Sequence, residues 1–202
     1  FGATVKSFDA KAARKSPGVV DVQQIPTGVA VYAKDTWSAL QGRRALDVEW
    51  DDSNAEKRSS AQITREYRDM AARPGKIASS RGKADIDDES LAHTLSAEYS
   101  FPYLAHAPME TLDCVIHAKS DAVEAWYGCQ MPTVDQGAIG KVLGVPAENV
   151  IINTMYAGGS FGRRAQPGGP LAVEAAEVAK AHAKSRSLKL VWSREDDIQG
   201  GW

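Results

Sequence analysis

The sequence predicts an α+β fold, because short β-branched strands alternate with helical segments early in the chain and recur with longer helices later. Hydrophobic residues make up 43% and charged residues 25% of the 202 residues, which is typical of a globular protein. The net charge of -2 gives no basic footprint for nucleic acid. No apolar run approaches the roughly 18 residues that a transmembrane helix needs. We therefore expect a globular chain without a nucleic-acid partner or a transmembrane segment.

The first fifty residues predict the element order β-α-β-β-α-β. Turns at Pro17-Gly18 and Pro26-Thr27-Gly28 separate the strands, and Asp9 and Asp35 are candidate helix caps. The predicted strands are 4–8, 19–22, 29–33 and 48–50, and the predicted helices are 9–14 and 35–46. This order is that of a split βαβ module with its own sheet, which we place in a first domain at residues 1–58.

A polar middle segment, residues 59–91, separates this module from the rest. Ser60 is a candidate cap for a helix over 61–72, and Arg73-Pro74-Gly75 would stop it. The stretch 79–89 carries six charges and no aromatic residue, so we expect a linker there.

Residues 92–202 form the third predicted segment, with longer strands and helices. A hairpin is predicted from strands 112–117 and 123–128, and its register favours two free thiols over a Cys114–Cys129 bridge. Thr133 and Gln136 have the spacing of a capping box, with a helix stop at 143–146. A buried strand is predicted at 149–154 and a helix at 171–183.

A glycine–arginine loop lies between that last strand and helix. Its sequence is Gly158-Gly159-Ser160-Phe161-Gly162-Arg163-Arg164. The glycines allow close approach of the backbone, and paired guanidinium groups suit an oxyanion. The loop therefore predicts a cradle for an anionic cofactor.

The same loop satisfies G-x-S-x-G, the nucleophile elbow of α/β-hydrolases, with Ser160 as nucleophile. That fold orders its triad as serine, acid, histidine, whereas His182 here precedes Asp196 and Asp197. The spacing fits neither the Walker A nor the dinucleotide-binding fingerprint. A serine hydrolase remains an alternative, as does a glycine-rich turn that only lets strand and helix pack.

Two upstream clusters are further candidates. His106 and Glu110 flank Pro108, which argues against a shared helical face. Gln130 follows a predicted strand, where the amide could donate to an oxo group. Since no His-Glu-x-x-His motif or cysteine cluster is present, we expect no metal bound directly by protein side chains.

Three stretches together, in this order, resemble the large subunit of molybdenum hydroxylases, the xanthine dehydrogenase and aldehyde oxidase family. They are His106–Glu110, Gly128–Thr133 and Gly158–Arg164. The likeness is strongest to the bacterial isoquinoline 1-oxidoreductase beta subunit and aldehyde dehydrogenase branch. It implies that residues 1–58 are an α/β hammerhead domain and that 92–202 are part of a molybdopterin-binding domain.

The resemblance also implies roles for individual residues. Gln130 matches the glutamine that hydrogen-bonds an oxygen ligand of molybdenum, and Gly158, Gly159, Ser160, Phe161 and Gly162 match the segment that lies against that oxygen and the pterin. Arg163 and Arg164 would reach the cofactor's phosphates, with His106 and Glu110 as secondary candidates. Ser160 replaces a commoner third glycine, and Thr111 a common proline.

The family resemblance further implies a cofactor, partners and an activity. The cofactor would be molybdopterin in its cytosine dinucleotide form, and [2Fe-2S] clusters would lie on a small partner subunit. The substrate would be an aldehyde or an N-heteroaromatic ring, oxidised with water as the oxygen source. The family's general-base glutamate lies nearer the C-terminus of the large subunit, so we expect a fragment that is inactive and lacks cofactor by itself. A non-catalytic interaction module is a further alternative, and the sequence leaves substrate identity and cellular location open.

Overall fold

The computed structural model describes residues 2–82, 93, 95–182 and 187–200. Helices and strands are mixed along the chain, which confirms the predicted α and β content. The strands are β1 (Thr4–Asp9), β2 (Val19–Ile25), β3 (Gly28–Ala33), β4 (Asp47–Asp51), β5 (Asp113–Ala118), β6 (Val123–Tyr127), β7 (Val150–Thr154) and β8 (Leu188–Val191). The helices are α1 (Lys11–Lys15), α2 (Thr36–Arg44), α3 (Ser60–Ala71), α4 (Pro132–Leu143), α5 (Pro170–Ala181) and α6 (Arg194–Gln199).

The chain divides into two compact units, one formed by residues 1–54 with 103–202 and the other by residues 55–102. In the second unit, helix α3 begins with a capping box in which Ser59 accepts from the backbone of Gln62. The predicted cap was therefore one residue late. Part of the predicted linker, from residue 83 onward, lies outside the described residues. The domain bounds 1–58, 59–91 and 92–202 stay a prediction.

The first fifty residues have the predicted order of strands and helices, but their strands do not form one sheet. β1 pairs with β4 and β2 pairs with β3, both antiparallel, as two separate two-stranded ribbons. The prediction of a single sheet was wrong for the described residues. Each ladder contains a register irregularity, between Val5 and Ser7 and between Val19 and Asp21, and such bulges bend and twist a strand. Asp35 caps α2 as predicted, by accepting from the Ser38 backbone N–H at 2.8 Å.

The other sheet of the first unit is a four-stranded mixed sheet with the strand order β7-β6-β5-β8. β5 and β6 form the predicted antiparallel hairpin, and Cys114 and Cys129 are both free, as predicted. β7 lies parallel to β6 at the sheet edge, so the strand predicted at 149–154 is present, but only Val150 is buried and the prediction of a buried strand was wrong for its other residues. An edge strand has a partner on one side only, and here Ile151 and Thr154 are exposed while Ile152 and Asn153 are half-buried.

Helices α4 and α5 cover one face of this sheet and enclose the main core. Pro132 occupies the first turn of α4 and the cap residue is Met131, so the predicted Thr133 capping box was wrong. Proline fits this position because its fixed φ is helical and its missing N–H is not needed there. Gly144 ends α4 in the left-handed conformation, as predicted. The buried core residues are Leu112, Cys114, Ile116, Val123, Ala125, Tyr127, Ile139, Val145, Val150, Leu171, Ala172, Ala175, Ala176 and Ala179.

Candidate functional site

The three sequence clusters meet where β6 and β7 end. The Met155 N–H donates to the Tyr127 carbonyl at 3.0 Å, which continues the β6–β7 pairing past the end of both strands. The segment before β5 then joins them, because the Glu110 N–H donates to the Gly158 carbonyl at 3.2 Å. Residues 48 positions apart in the sequence therefore form one site.

The carboxylate of Glu110 makes two hydrogen bonds with the glycine–arginine loop. One oxygen accepts from the Gly158 N–H at 2.8 Å, and the other accepts from Nη2 of Arg164 at 3.0 Å. A Cβ on Gly158 would lie 2.6 Å from the Cβ of Glu110, so the two segments touch backbone to backbone. Only glycine fits this position without moving one of the two segments.

Arg164 is buried beneath the loop. Its side chain is 1% exposed, and Nη1 donates to the Gly128 carbonyl at 3.4 Å. Within the described chain its Nε has no hydrogen-bond partner. The guanidinium group thus links all three clusters, and a carboxylate offsets the cost of burying its charge.

Arg163 is also buried, on the other side of the backbone. Its guanidinium lies over the Trp192 ring at 5.2 Å and donates to Gln166 at 2.9 Å, with an Asp197 carboxylate oxygen 3.9 Å from Nε. Burial lowers the pKa of Arg163 below its ordinary value. Neither arginine faces solvent in this structure, so their predicted contacts with cofactor phosphates stay a prediction.

Gln130 lies in the turn between β6 and α4, as the sequence predicts. Its side-chain oxygen accepts from the Ser160 hydroxyl at 2.5 Å, and Ser160 Oγ accepts from the Arg164 N–H at 3.1 Å. The glutamine is exposed while its amide oxygen is held by the loop. Gln130 and the glycine loop therefore present one continuous polar surface.

The loop backbone offers unused donors along this surface. No acceptor among the described residues receives the backbone N–H groups of the four consecutive residues 159–162. Gly159 and Gly162 have φ of 103° and 95°, and Phe161, a bulky residue, has φ of 57°. Left-handed backbone at a non-glycine residue costs of order 1–3 kcal/mol and is concentrated at functional sites. Clustered backbone N–H groups without a partner can donate to the oxygen of an anionic or carbonyl group of a bound cofactor.

Large apolar side chains within the loop, or close in sequence to the loop, Gln130 and Glu110, are exposed. These residues are Met109, Met131, Met155, Tyr156 and Phe161. His106 also lies beside the loop, since a Cβ on Gly162 would be 3.9 Å from its Nε2. His106 and Glu110 are thus both part of the site, although only Glu110 hydrogen-bonds to the loop.

Two buried or half-buried residues in and near the site, Arg194 and Asp135, are not among those predicted from the sequence. Arg194 donates to the Pro108 carbonyl at 2.5 Å and to Asp197 at 2.6 Å, which anchors the segment that carries Glu110. Asp135 accepts from the Tyr127 hydroxyl at 2.7 Å inside the core. Asp135 lies four residues before the buried Ile139, so helical periodicity could have identified it. The Arg194 contacts depend on α6 packing near Pro108 in the tertiary structure, and no local sequence pattern predicts this packing.

The described part of the chain contains no group of three or more His, Cys, Asp or Glu side chains that could hold a metal ion. None of its helices is long and apolar enough to cross a membrane.

Comparison with known proteins places this site in a family. Residues 62–201 match the model of the molybdopterin cofactor-binding domain. The chain is 34% identical to the isoquinoline 1-oxidoreductase subunit beta of Brevundimonas diminuta, over 98% of this chain and 26% of that protein. It is 28% identical to a membrane-bound aldehyde dehydrogenase [pyrroloquinoline-quinone] of Gluconacetobacter polyoxogenes, over 98% of this chain and 26% of that protein. The chain therefore spans about a quarter of the length of these two relatives.

The fold agrees with the sequence match. The structure of quinoline 2-oxidoreductase from Pseudomonas putida 86 superposes with a TM-score of 0.65 and 18% identity. The superposition covers 96% of this chain and 30% of that chain. At this identity the likeness shows the fold alone.

The serine hydrolase alternative has no support in these comparisons, and the site explains why the motif misleads. Ser160 Oγ bonds to Gln130 and to the backbone of Arg164, whereas His182 lies 3.1 Å from Asp21. A nucleophile elbow passes directly from its serine into a helix, but α5 begins only at Pro170. The ordered clusters, their convergence in one site and the match over residues 62–201 lead to one assignment: the chain belongs to the molybdopterin cofactor-binding domain family.

Proposed function

We propose that this chain forms one wall of a molybdopterin site in an oxidoreductase that oxidises aldehydes or hydroxylates N-heteroaromatic rings, with water as the oxygen source. The observation that carries the proposal is the surface made by Gln130 and the free backbone amides of residues 159–162. The printed names of the two relatives, an isoquinoline 1-oxidoreductase and an aldehyde dehydrogenase, support the substrate class.

The residues of this chain would bind and orient the cofactor, which when bound supplies the oxidation–reduction chemistry. The Gln130 amide would donate to an oxygen ligand of the metal, and the backbone of Gly158, Gly159, Ser160, Phe161 and Gly162 would face the same oxygen and the pterin. The exposed apolar residues of the loop and of the segments next to Gln130 and Glu110 would exclude water once they are covered. The contacts that half-exposed Glu110 makes with Gly158 and with buried Arg164 would keep the loop in place.

Finer features of the proposal rest on the family resemblance. Residues 1–58 would be an α/β hammerhead domain, which the observed β-α-β-β-α-β order supports, and residues 92–202 would belong to the cofactor-binding domain. The cofactor would be the cytosine dinucleotide form, and a small subunit would carry [2Fe-2S] clusters. The name of the Brevundimonas relative, a subunit beta, supports assembly with another chain. Arg163 and Arg164 would reach the cofactor phosphates only after turning outward; as they lie, they support the loop.

The direct test is the cofactor content of the complete protein that contains this chain. We expect stoichiometric molybdenum by elemental mass spectrometry, a fluorescent oxidised pterin, and cytidine monophosphate after acid hydrolysis. Gln130→Ala should reduce cofactor retention, whereas Gln24→Ala should not, since Gln24 is an exposed residue of β2. Absence of both molybdenum and pterin from the complete wild-type protein would refute the proposal.

A further inference from the structure

Ser160 lies at the junction between the glycine loop and Gln130. Its Oγ is 2.5 Å from Gln130 Oε1 and 3.1 Å from the backbone nitrogen of Arg164. Both contacts are made by one hydroxyl group, which carries one hydrogen and two acceptor lone pairs. The serine therefore connects the loop backbone to the side chain that the proposed function places against the cofactor.

The polarity of these bonds follows from their partners. A backbone N–H only donates, so Ser160 Oγ accepts from Arg164. The atom of Gln130 that lies 2.5 Å from Ser160 Oγ is the amide oxygen Oε1, which can only accept, so the hydroxyl hydrogen is donated to it. With that oxygen occupied, the amide NH₂ must point the other way, and in the described part of the chain it has no partner. Gln130 thus presents donors to the space above the loop.

The rest of the loop holds the serine in place. The Ser160 carbonyl accepts from the Arg163 N–H at 2.9 Å, in a turn that follows the glycines. Arg164, whose backbone contacts Ser160, is anchored by Glu110 and by the Gly128 carbonyl. The serine hydroxyl therefore belongs to a network whose other end is buried, and it does not move independently of the loop.

We propose that Ser160 is a positioning residue that fixes the Gln130 amide with its NH₂ group toward the cofactor. This inference rests on the proposed function, because it assigns a role within the same site. An amide is nearly symmetric in shape, and rotation by 180° would exchange its donor and acceptor ends. An oxygen ligand can accept from NH₂ but would repel the amide oxygen, so the orientation decides whether Gln130 binds or opposes the cofactor.

The experiment measures cofactor retention in the complete protein, as molybdenum and pterin remaining during extended dialysis, for single and double variants. Ser160→Ala and Ser160→Gly should each speed cofactor loss by about threefold to tenfold, the range expected for one lost hydrogen bond. Ser160→Thr keeps the hydroxyl and should resemble wild type. Ser80→Ala, at an exposed serine of the other unit, is the matched control and should have no effect.

A double-mutant cycle separates positioning from a structural role. In a Gln130→Ala background, Ser160→Ala should have no further effect, because the amide that it orients is gone. An equal effect of Ser160→Ala in both backgrounds would overturn the inference, and so would wild-type retention in Ser160→Ala. A wild-type protein without molybdenum and pterin is a different result, which would overturn the proposed function and this inference together.

Discussion

The contact between Gly158 and Glu110 gives a quantitative prediction. In Gly158→Ala the new Cβ would lie 2.6 Å from the Glu110 Cβ and 3.1 Å from the Glu110 backbone nitrogen. The two segments must separate, which weakens the Gly158 N–H bond to the carboxylate at 2.8 Å and the return bond to the Gly158 carbonyl at 3.2 Å. The substitution therefore tests whether this contact holds the loop in place.

The expected loss of stability combines the steric overlap of the new Cβ with the weakening of the two hydrogen bonds. Overpacking costs typically about 1–3 kcal/mol, and each hydrogen bond contributes about 0.5–1.5 kcal/mol. Since the bonds are weakened and not removed, we expect the free energy of unfolding to fall by about 2–4 kcal/mol. For a chain of this size, 1 kcal/mol lowers the Tm by about 2–4 °C. The expected decrease is then roughly 4–16 °C in thermal unfolding followed by circular dichroism.

Gly137→Ala provides the matched control for this prediction. Gly137 lies within α4, and a Cβ there meets nothing within 4 Å. Alanine should stabilise this helix by about 0.4–1 kcal/mol, because the unfolded chain loses conformational freedom. A Gly158→Ala variant that unfolds at or above the wild-type temperature, as Gly137→Ala should, would refute the reasoning about the loop contact.

Two further predictions concern titrating groups. Hydrogen bonds from Gln23 and Arg14 hold the pKa of Asp21 well below its usual range. The contribution of the Asp21 carboxylate to the stability of the fold is therefore complete above about pH 4, and it is lost as the pH falls through that lowered pKa. Asp21→Asn should therefore lower the Tm at pH 7, with a difference that shrinks toward pH 2; a constant difference would contradict this. Burial raises the pKa of Cys129 to about 11 and that of Cys114 to about 12, so iodoacetamide should alkylate neither thiol of the folded chain at pH 8, but both in denaturant. Rapid labelling of either thiol in the folded protein at pH 8 would contradict the prediction for the cysteines.

Local patterns predicted most of the elements, because strands and helices follow hydrophobic periodicity and turn residues. Asp35 as a cap and Gly144 as a helix stop were correct, since both depend on backbone groups within a few residues. Some of the errors were also local, whereas the single sheet expected for the first fifty residues failed at the level of strand pairing. Pro132 took precedence over Thr133 at the start of α4, and β8 and α6 went unpredicted near the end of the chain.

The sequence by itself identified the three clusters that we propose to form the cofactor site: a glutamine after a strand, a glycine loop after another, and a His–Glu segment before a third. Only the tertiary structure decided how they meet, because the contacts join residues 30 to 54 positions apart. It also turned the two arginines inward, since Glu110 and Asp197 supply carboxylates that no local pattern relates to them. For Ser160, too, the sequence identified the residue and the tertiary structure decided its contacts. Its motif was compatible with a nucleophile, but a hydroxyl takes its role from its neighbours, and here these are Gln130 and the backbone of Arg164.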